Sequence, residues 1–81
     1  MFLHVSEAKY LHDYVIWLKF SDGAEGEIDL RNELSGEMFA PLQHLDEFQR
    51  FCVDPELGTI AWENGADLAP EFLYSQLKAL A

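Results

Sequence analysis

The chain reads as a single α+β domain: an antiparallel three-stranded meander, a smaller second hairpin, a short middle helix and a C-terminal helix. Three observations predict it. Apolar residues recur with a period of two through much of residues 3–30, interrupted at Asp22-Gly23. A second pair of apolar runs, Cys52-Val53 and Thr59-Ile60-Ala61-Trp62, flanks a loop with Pro55 near its start and Gly58 at its end. From Pro70 the period becomes helical, with Leu73, Leu77 and Leu80 in one stripe beside Phe72. With 81 residues, 49% of them apolar, residues 1–81 form one domain around one core. A core of this size predicts stability near the low end of the usual range of about 5–15 kcal/mol.

The elements follow in order. Leu3 to Leu11 is the first strand, with Leu3 and Val5 on one face, and His12-Asp13 makes the turn. Tyr14 to Phe20 is the most strongly patterned strand: Tyr14, Ile16, Leu18 and Phe20 alternate with Val15, Trp17 and Lys19. Its second face is apolar at Val15 and Trp17, so a helix, a loop or a second subunit is expected to cover it. Asp22-Gly23 predicts a type I′ turn, in which both central residues take positive φ. Ala24 to Leu30 is a half-buried strand, with Ala24, Gly26, Ile28 and Leu30 facing in and Glu25, Glu27 and Asp29 facing out.

The period is then lost from Arg31 to Leu45, where Ser35-Gly36 and Pro41 indicate loop or a single 3₁₀ turn. Met38, Phe39 and Leu42 are expected to plug the core from this loop. Asp46 and Gln49 have capping-box spacing and open a short helix through Phe51. The second hairpin turns through the five residues Asp54-Pro55-Glu56-Leu57-Gly58. Pro70 suits the first position of the last helix, because its missing N–H would be unpaired there and Ala69 before it is pushed out of the α region. Glu71 in the first turn and Lys78 in the last suit the helix dipole.

Charge excludes several functions. Fifteen acidic residues against five basic ones give a formal charge of −10, and Lys9, Lys19, Arg31, Arg50 and Lys78 are scattered singly. Phosphate recognition needs clustered cations, so direct binding of nucleic acid or of anionic lipid is not expected. The charge favours solubility and rapid association with a basic partner. The single cysteine, Cys52, excludes an internal disulfide, suits a reducing compartment and lies between Phe51 and Val53, where a buried small hydrophobe is expected. No signal peptide or membrane-spanning run is visible, so a cytoplasmic, soluble protein is expected.

Phe20-Ser21-Asp22-Gly23, Asp29-Leu30, Gly58-Thr59-Ile60-Ala61-Trp62, Asn64-Gly65-Ala66-Asp67-Leu68, Pro70-Glu71 and Leu73-Tyr74 form an ordered set. This set resembles the small bacterial family of domain of unknown function 2442, over nearly the whole chain and most specifically in its C-terminal part. The resemblance implies an antiparallel sheet with the C-terminal helix packed nearby, and it carries over no catalytic residue. It also implies two contexts. Some members resemble an N-terminal domain joined to a helix-turn-helix module; others are encoded beside small basic proteins suspected to be toxins. Because the α+β reading uses every residue through Ala81, a DNA-reading role is expected to come from a separate chain.

Most of the signature has a structural explanation. Asp67, ahead of the Pro70 helix, is placed to accept hydrogen bonds from free backbone N–H groups. Trp62 is expected in or beside the core with a partner for its indole N–H, and Asn64-Gly65 is a turn needing positive φ. Asp22, Gly23, Pro70 and Tyr74 complete the set. Glu25, Glu27 and Asp29 line one strand face at roughly 7 Å intervals, too loose for one metal ion and better suited to Lys or Arg on a partner. His4, His12 and His44 lack metal-ligand spacing. His12-Asp13 are adjacent on a turn and expected to point apart. Ser21 lacks a nucleophile-elbow context, and no glycine-rich loop cradles a phosphate.

No catalytic residue, cofactor or metal ligand is therefore expected. The functional expectation is a non-enzymatic, acidic protein-interaction module, the antitoxin-like partner of a small basic protein. Its candidate surface comprises Glu25, Glu27, Asp29, Val15 and Trp17. The alternative is a ligand-sensing or regulatory domain that acts through homo-oligomerisation or a separate DNA-binding chain.

Overall fold

The computed structural model describes the backbone of residues 3–80 and the side chains of residues 3–77. Strands β1 (Val5–His12), β2 (Val15–Phe20) and β3 (Glu25–Asp29) form an antiparallel sheet in the order β1-β2-β3. Two 3₁₀ turns, Arg31–Glu33 and Ala40–Gln43, lead into a one-turn helix α1 (Leu45–Phe48). Strands β4 (Cys52–Asp54) and β5 (Thr59–Ala61) make the second hairpin, and helix α2 (Pro70–Leu80) closes the chain. The predicted fold class holds element for element.

Alternation decides which face of the meander is buried. Ile16, Leu18 and Phe20 of β2 and Ile28 of β3 lie in the core, joined by Val5, Leu30, Leu34, Leu42, Phe48, Ile60, Trp62, Ala66 and Leu73. Helix α2 packs beside β3, so closely that a Cβ on Gly26 would stand 2.8 Å from Leu77 Cδ2. The second hairpin sits against β1, where the Val5 N–H donates to the Gly58 carbonyl at 2.8 Å. Leu73 is fully buried and Leu77 half-buried, as the stripe predicts, whereas Leu80 and Lys78 lie outside the described side chains.

Several local expectations are corrected. The first strand begins at Val5 and extends through His12, with register shifts between Val5 and Glu7 and between Tyr10 and His12. The turn is Asp13-Tyr14, and Asp13 takes a positive φ of 45°. His12 and Asp13 do not point apart: Nδ1 of His12 lies 3.1 Å from an Asp13 carboxylate oxygen, in an exposed pair of little energetic weight. Asp22-Gly23 is not a type I′ turn, since only Gly23 is left-handed, at φ 91°. The hairpin has three loop residues, with a turn closed by Gly23 N–H to Phe20 O at 3.0 Å and then a glycine bulge. Asp22 does not take a positive φ, and its Oδ1 accepts the Ala24 N–H at 2.9 Å.

The middle segment differs more. It contains two 3₁₀ turns instead of one; Leu42 is buried and Phe39 half-buried, but Met38 is exposed. The Asp46/Gln49 capping box does not form. Helix α1 starts two residues earlier than that box implies, with His44 at its N-cap and no side-chain cap, and ends at Phe48. The second hairpin has a four-residue loop, because Asp54 pairs with Thr59 and its side chain holds the loop through Glu56 N–H at 2.8 Å. Cys52 is exposed rather than buried: its strand is short and partly covered, and it is Val53 that turns inward. Trp62 lies just beyond β5, in the turn that follows.

Candidate functional site

The signature residues build two copies of one turn. In Phe20-Ser21-Asp22-Gly23-Ala24, Gly23 N–H donates to Phe20 O at 3.0 Å and Phe20 N–H to Ala24 O at 2.8 Å. In Trp62-Glu63-Asn64-Gly65-Ala66 the same two bonds, Gly65 to Trp62 and Trp62 to Ala66, measure 3.0 and 2.8 Å. The glycines have φ of 91° and 92°, and the Asn64 side-chain oxygen accepts the Ala66 N–H at 3.0 Å as Asp22 does from Ala24. Each turn thus needs a short side-chain acceptor followed by a residue free to take positive φ.

The second arm of each acceptor explains why one turn has Asp and the other Asn. Asp22 Oδ2 accepts the Tyr74 hydroxyl at 2.7 Å, tying the first hairpin to α2, and Tyr74 stacks edge-on against Phe20 with ring centroids 5.1 Å apart. Asn64 uses its amide to donate to the Met38 carbonyl at 2.8 Å, a bond that a carboxylate cannot make. Trp62 is buried, packs on Phe39, Phe48 and Phe51, and donates its indole N–H to the Phe48 carbonyl at 2.9 Å. That carbonyl belongs to the last residue of α1, where helical partners have run out.

Asp67 takes a different role from the expected cap. It is exposed and contributes an isolated backbone bridge with Ala61, while Leu73 N–H closes the first turn of α2 on Ala69 O at 3.1 Å. The Thr59 hydroxyl, buried with its residue, donates to the Leu68 carbonyl and holds the segment before Pro70. Pro70 stands at the first position of the helix. A small cavity of about 40 Å³ beside the Trp62-to-Ala66 turn is lined by Pro41, Leu42, Glu47, Arg50, Trp62, Glu63 and Asn64. That is room for about one water. Among the described residues, no group of three or more His, Cys, Asp or Glu is placed to hold a metal ion.

The candidate interaction residues do come together. Strand register places Val15 opposite Asp29, Trp17 opposite Glu27 and Lys19 opposite Glu25 on the outward face of the sheet. On the other side of β2, Glu7 faces Lys19, Lys9 faces Trp17 and His12 faces Val15. The face therefore consists of three rows: Glu7-Lys19-Glu25, Lys9-Trp17-Glu27 and His12-Val15-Asp29. None of these nine residues is buried. Val15 and Trp17 are half-buried, and the Lys9 ammonium stands 5.5 Å from the centre of the Trp17 ring. A neighbouring lysine thus stands over part of the Trp17 ring.

Residues 5–79 match the family model described as protein of unknown function (DUF2442). The chain belongs to this family. No curated protein and no solved structure matches it. The matched span of the DUF2442 domain includes every strand, both turns of the repeated design and nearly all of α2. Sequence reasoning put Lys19 on the strand face of Val15 and Trp17 but left it out of the candidate surface, and it missed Lys9, whose place depends on a register containing two shifts.

The Asp22–Tyr74 contact has a pH signature. The Tyr74 hydroxyl is pushed above the usual tyrosine range by its hydrogen bond to Asp22, then by desolvation and by the Asp22 charge. A phenol with a raised folded-state pKa adds stability that is full below the unfolded value, near 10, and lost as pH rises through the folded value. Tyr74→Phe is accordingly expected to lower the melting temperature at neutral pH, by less as the medium becomes strongly alkaline. Thermal melts of both proteins across the alkaline range, with phenolate absorbance followed in parallel, check this. A constant gap between the two melting curves would refute the coupling.

Proposed function

We propose that this DUF2442 domain is a small, acidic, non-enzymatic interaction module whose outward sheet face receives a basic protein, and that it works in the cytoplasm. The observation that carries this reading is the convergence of Glu25, Glu27 and Asp29 with Val15 and Trp17 on one unburied face. Charge and apolar surface side by side suit a protein partner: the acids steer a cation-rich surface, and the tryptophan offers area to bury. The formal charge of −10 supports the same choice. The family resemblance adds the setting of a small basic companion, for which this chain would act as an antitoxin-like neutraliser.

The test is capture of the tagged chain from its native host, in parallel with a Glu25→Lys/Glu27→Lys variant. Both residues are exposed, so the variant is expected to fold. The expected result is a stoichiometric companion of high isoelectric point, retained at low salt and lost by the variant. Recovery of the chain alone, or a companion retained equally by the variant, would overturn the reading. A stable homodimer in sedimentation, broken by Trp17→Ser, would instead favour regulation through self-association.

A further inference from the structure

Strand β3 lies at one side of the sheet, with β2 on its other flank. The ladder fixes which of its backbone groups are used. Phe20 N–H bonds Ala24 O at 2.8 Å, and Leu30 N–H bonds Tyr14 O at 2.9 Å. Hydrogen-bonded pairs alternate along an antiparallel ladder, so Gly26 and Ile28 also spend their backbone groups on Leu18 and Ile16. The N–H and C=O groups of Glu25, Glu27 and Asp29 point the other way, out of the sheet. No backbone hydrogen bond among the described residues fills that edge.

We propose that this edge is a docking site for an extended strand whose residues alternate between Lys or Arg and apolar types. The proposal deepens the interaction reading above and rests on it. A fourth strand would place its outward side chains opposite Glu25, Glu27 and Asp29, with Cβ atoms about 5 Å apart. Cations at those positions would also extend the charge order of the rows. Glu7-Lys19-Glu25 already runs acid, base, acid across the sheet, and a base comes next. Inward side chains would lie beside Gly26 and Ile28, next to the half-buried Leu77 of α2, where apolar residues suit.

Charge also excludes the β3 edge of a second copy of this chain as the occupant. Pairing β3 with itself sets Glu25, Glu27 and Asp29 against the same three acids, and like charges opposite one another are destabilising. An acidic edge of this kind blocks self-association while leaving the backbone ladder available to a basic strand.

The probe is a synthetic heptapeptide, Lys-Val-Lys-Val-Lys-Val-Lys, compared with a peptide of the same composition in which the lysines are grouped. Amide exchange is followed residue by residue. The alternating peptide is expected to slow exchange of the Glu25, Glu27 and Asp29 amides by about tenfold or more, with the grouped peptide doing so far less. Methylating the peptide nitrogens that face the edge should abolish that protection. Equal protection by both peptides, or resistance to methylation, would overturn the proposal. Binding with shifts across the outer face but no protection at the three edge amides would overturn it too, while leaving the acidic-face reading standing. Failure of every cationic peptide to bind would remove both.

Discussion

Trp62→Ala is expected to cost about 3–5 kcal/mol, enough to leave much of the protein unfolded. The ring lies 5% exposed between Phe39, Phe48 and Phe51, so its removal opens a cavity that three other aromatics border. Trp62→Phe separates packing from hydrogen bonding. It keeps most of the apolar volume but withdraws the indole N–H from the Phe48 carbonyl, with an expected loss of about 1–3 kcal/mol for the buried acceptor left unpaired. Urea unfolding followed by circular dichroism measures both, and Trp17 remains as a fluorescent reporter in each variant. An unchanged midpoint for Trp62→Phe would show that the bond to α1 contributes nothing.

Gly58→Ala is expected to be the second large effect, about 2–4 kcal/mol. Gly58 has φ +69°, and a left-handed backbone costs a residue with a Cβ about 1–2 kcal/mol. The new methyl would stand 2.9 Å from the Cβ of His4, an atom fixed by its own backbone, so the start of β1 must shift. Such overpacking costs about 1–3 kcal/mol more. The same shift loosens the Val5 N–H to Gly58 O bond, the hydrogen bond that anchors β1 to the second hairpin. Faster exchange at the Val5 amide is therefore expected alongside the lost stability. Gly23→Ala provides the comparison: its φ is +91°, but the space around it is open, so only the left-handed cost applies. Equal losses at the two sites would exclude the contact with His4.

Wherever side-chain period alone decides structure, the fold was legible in the sequence. Ala24 to Leu30 alternates as read, because a strand with one wet face has a single arrangement that buries Ile28 and Leu30. The α2 start follows from Pro70 in the same local way. Cys52 and Met38 went astray for a common reason. Their burial depends on which neighbour turns toward the core, and an irregular loop or a three-residue strand has too little period to decide that.

Turn chemistry was legible only in part. That Gly23 and Gly65 need positive φ is readable from Asp-Gly and Asn-Gly, but the turn type depends on the preceding side chain. Asp22 bonds the Ala24 N–H and so holds the hairpin at three loop residues instead of two. The capping box at Asp46 failed because α1 begins at Leu45 with His44 as its N-cap, which puts Asp46 inside the helix instead of ahead of it.

The candidate face shows the division most clearly. Composition and alternation alone established an acidic chain, a strand with Glu25, Glu27 and Asp29 outward, and a neighbour carrying Val15 and Trp17. Only the tertiary structure decided that these are one surface, threaded by Lys9 and Lys19 and ending at β3, the outer strand of the sheet. Alternation is a property of each strand by itself. Which residues stand opposite one another is a matter of register, and here register depends on a three-residue loop and two shifts in β1.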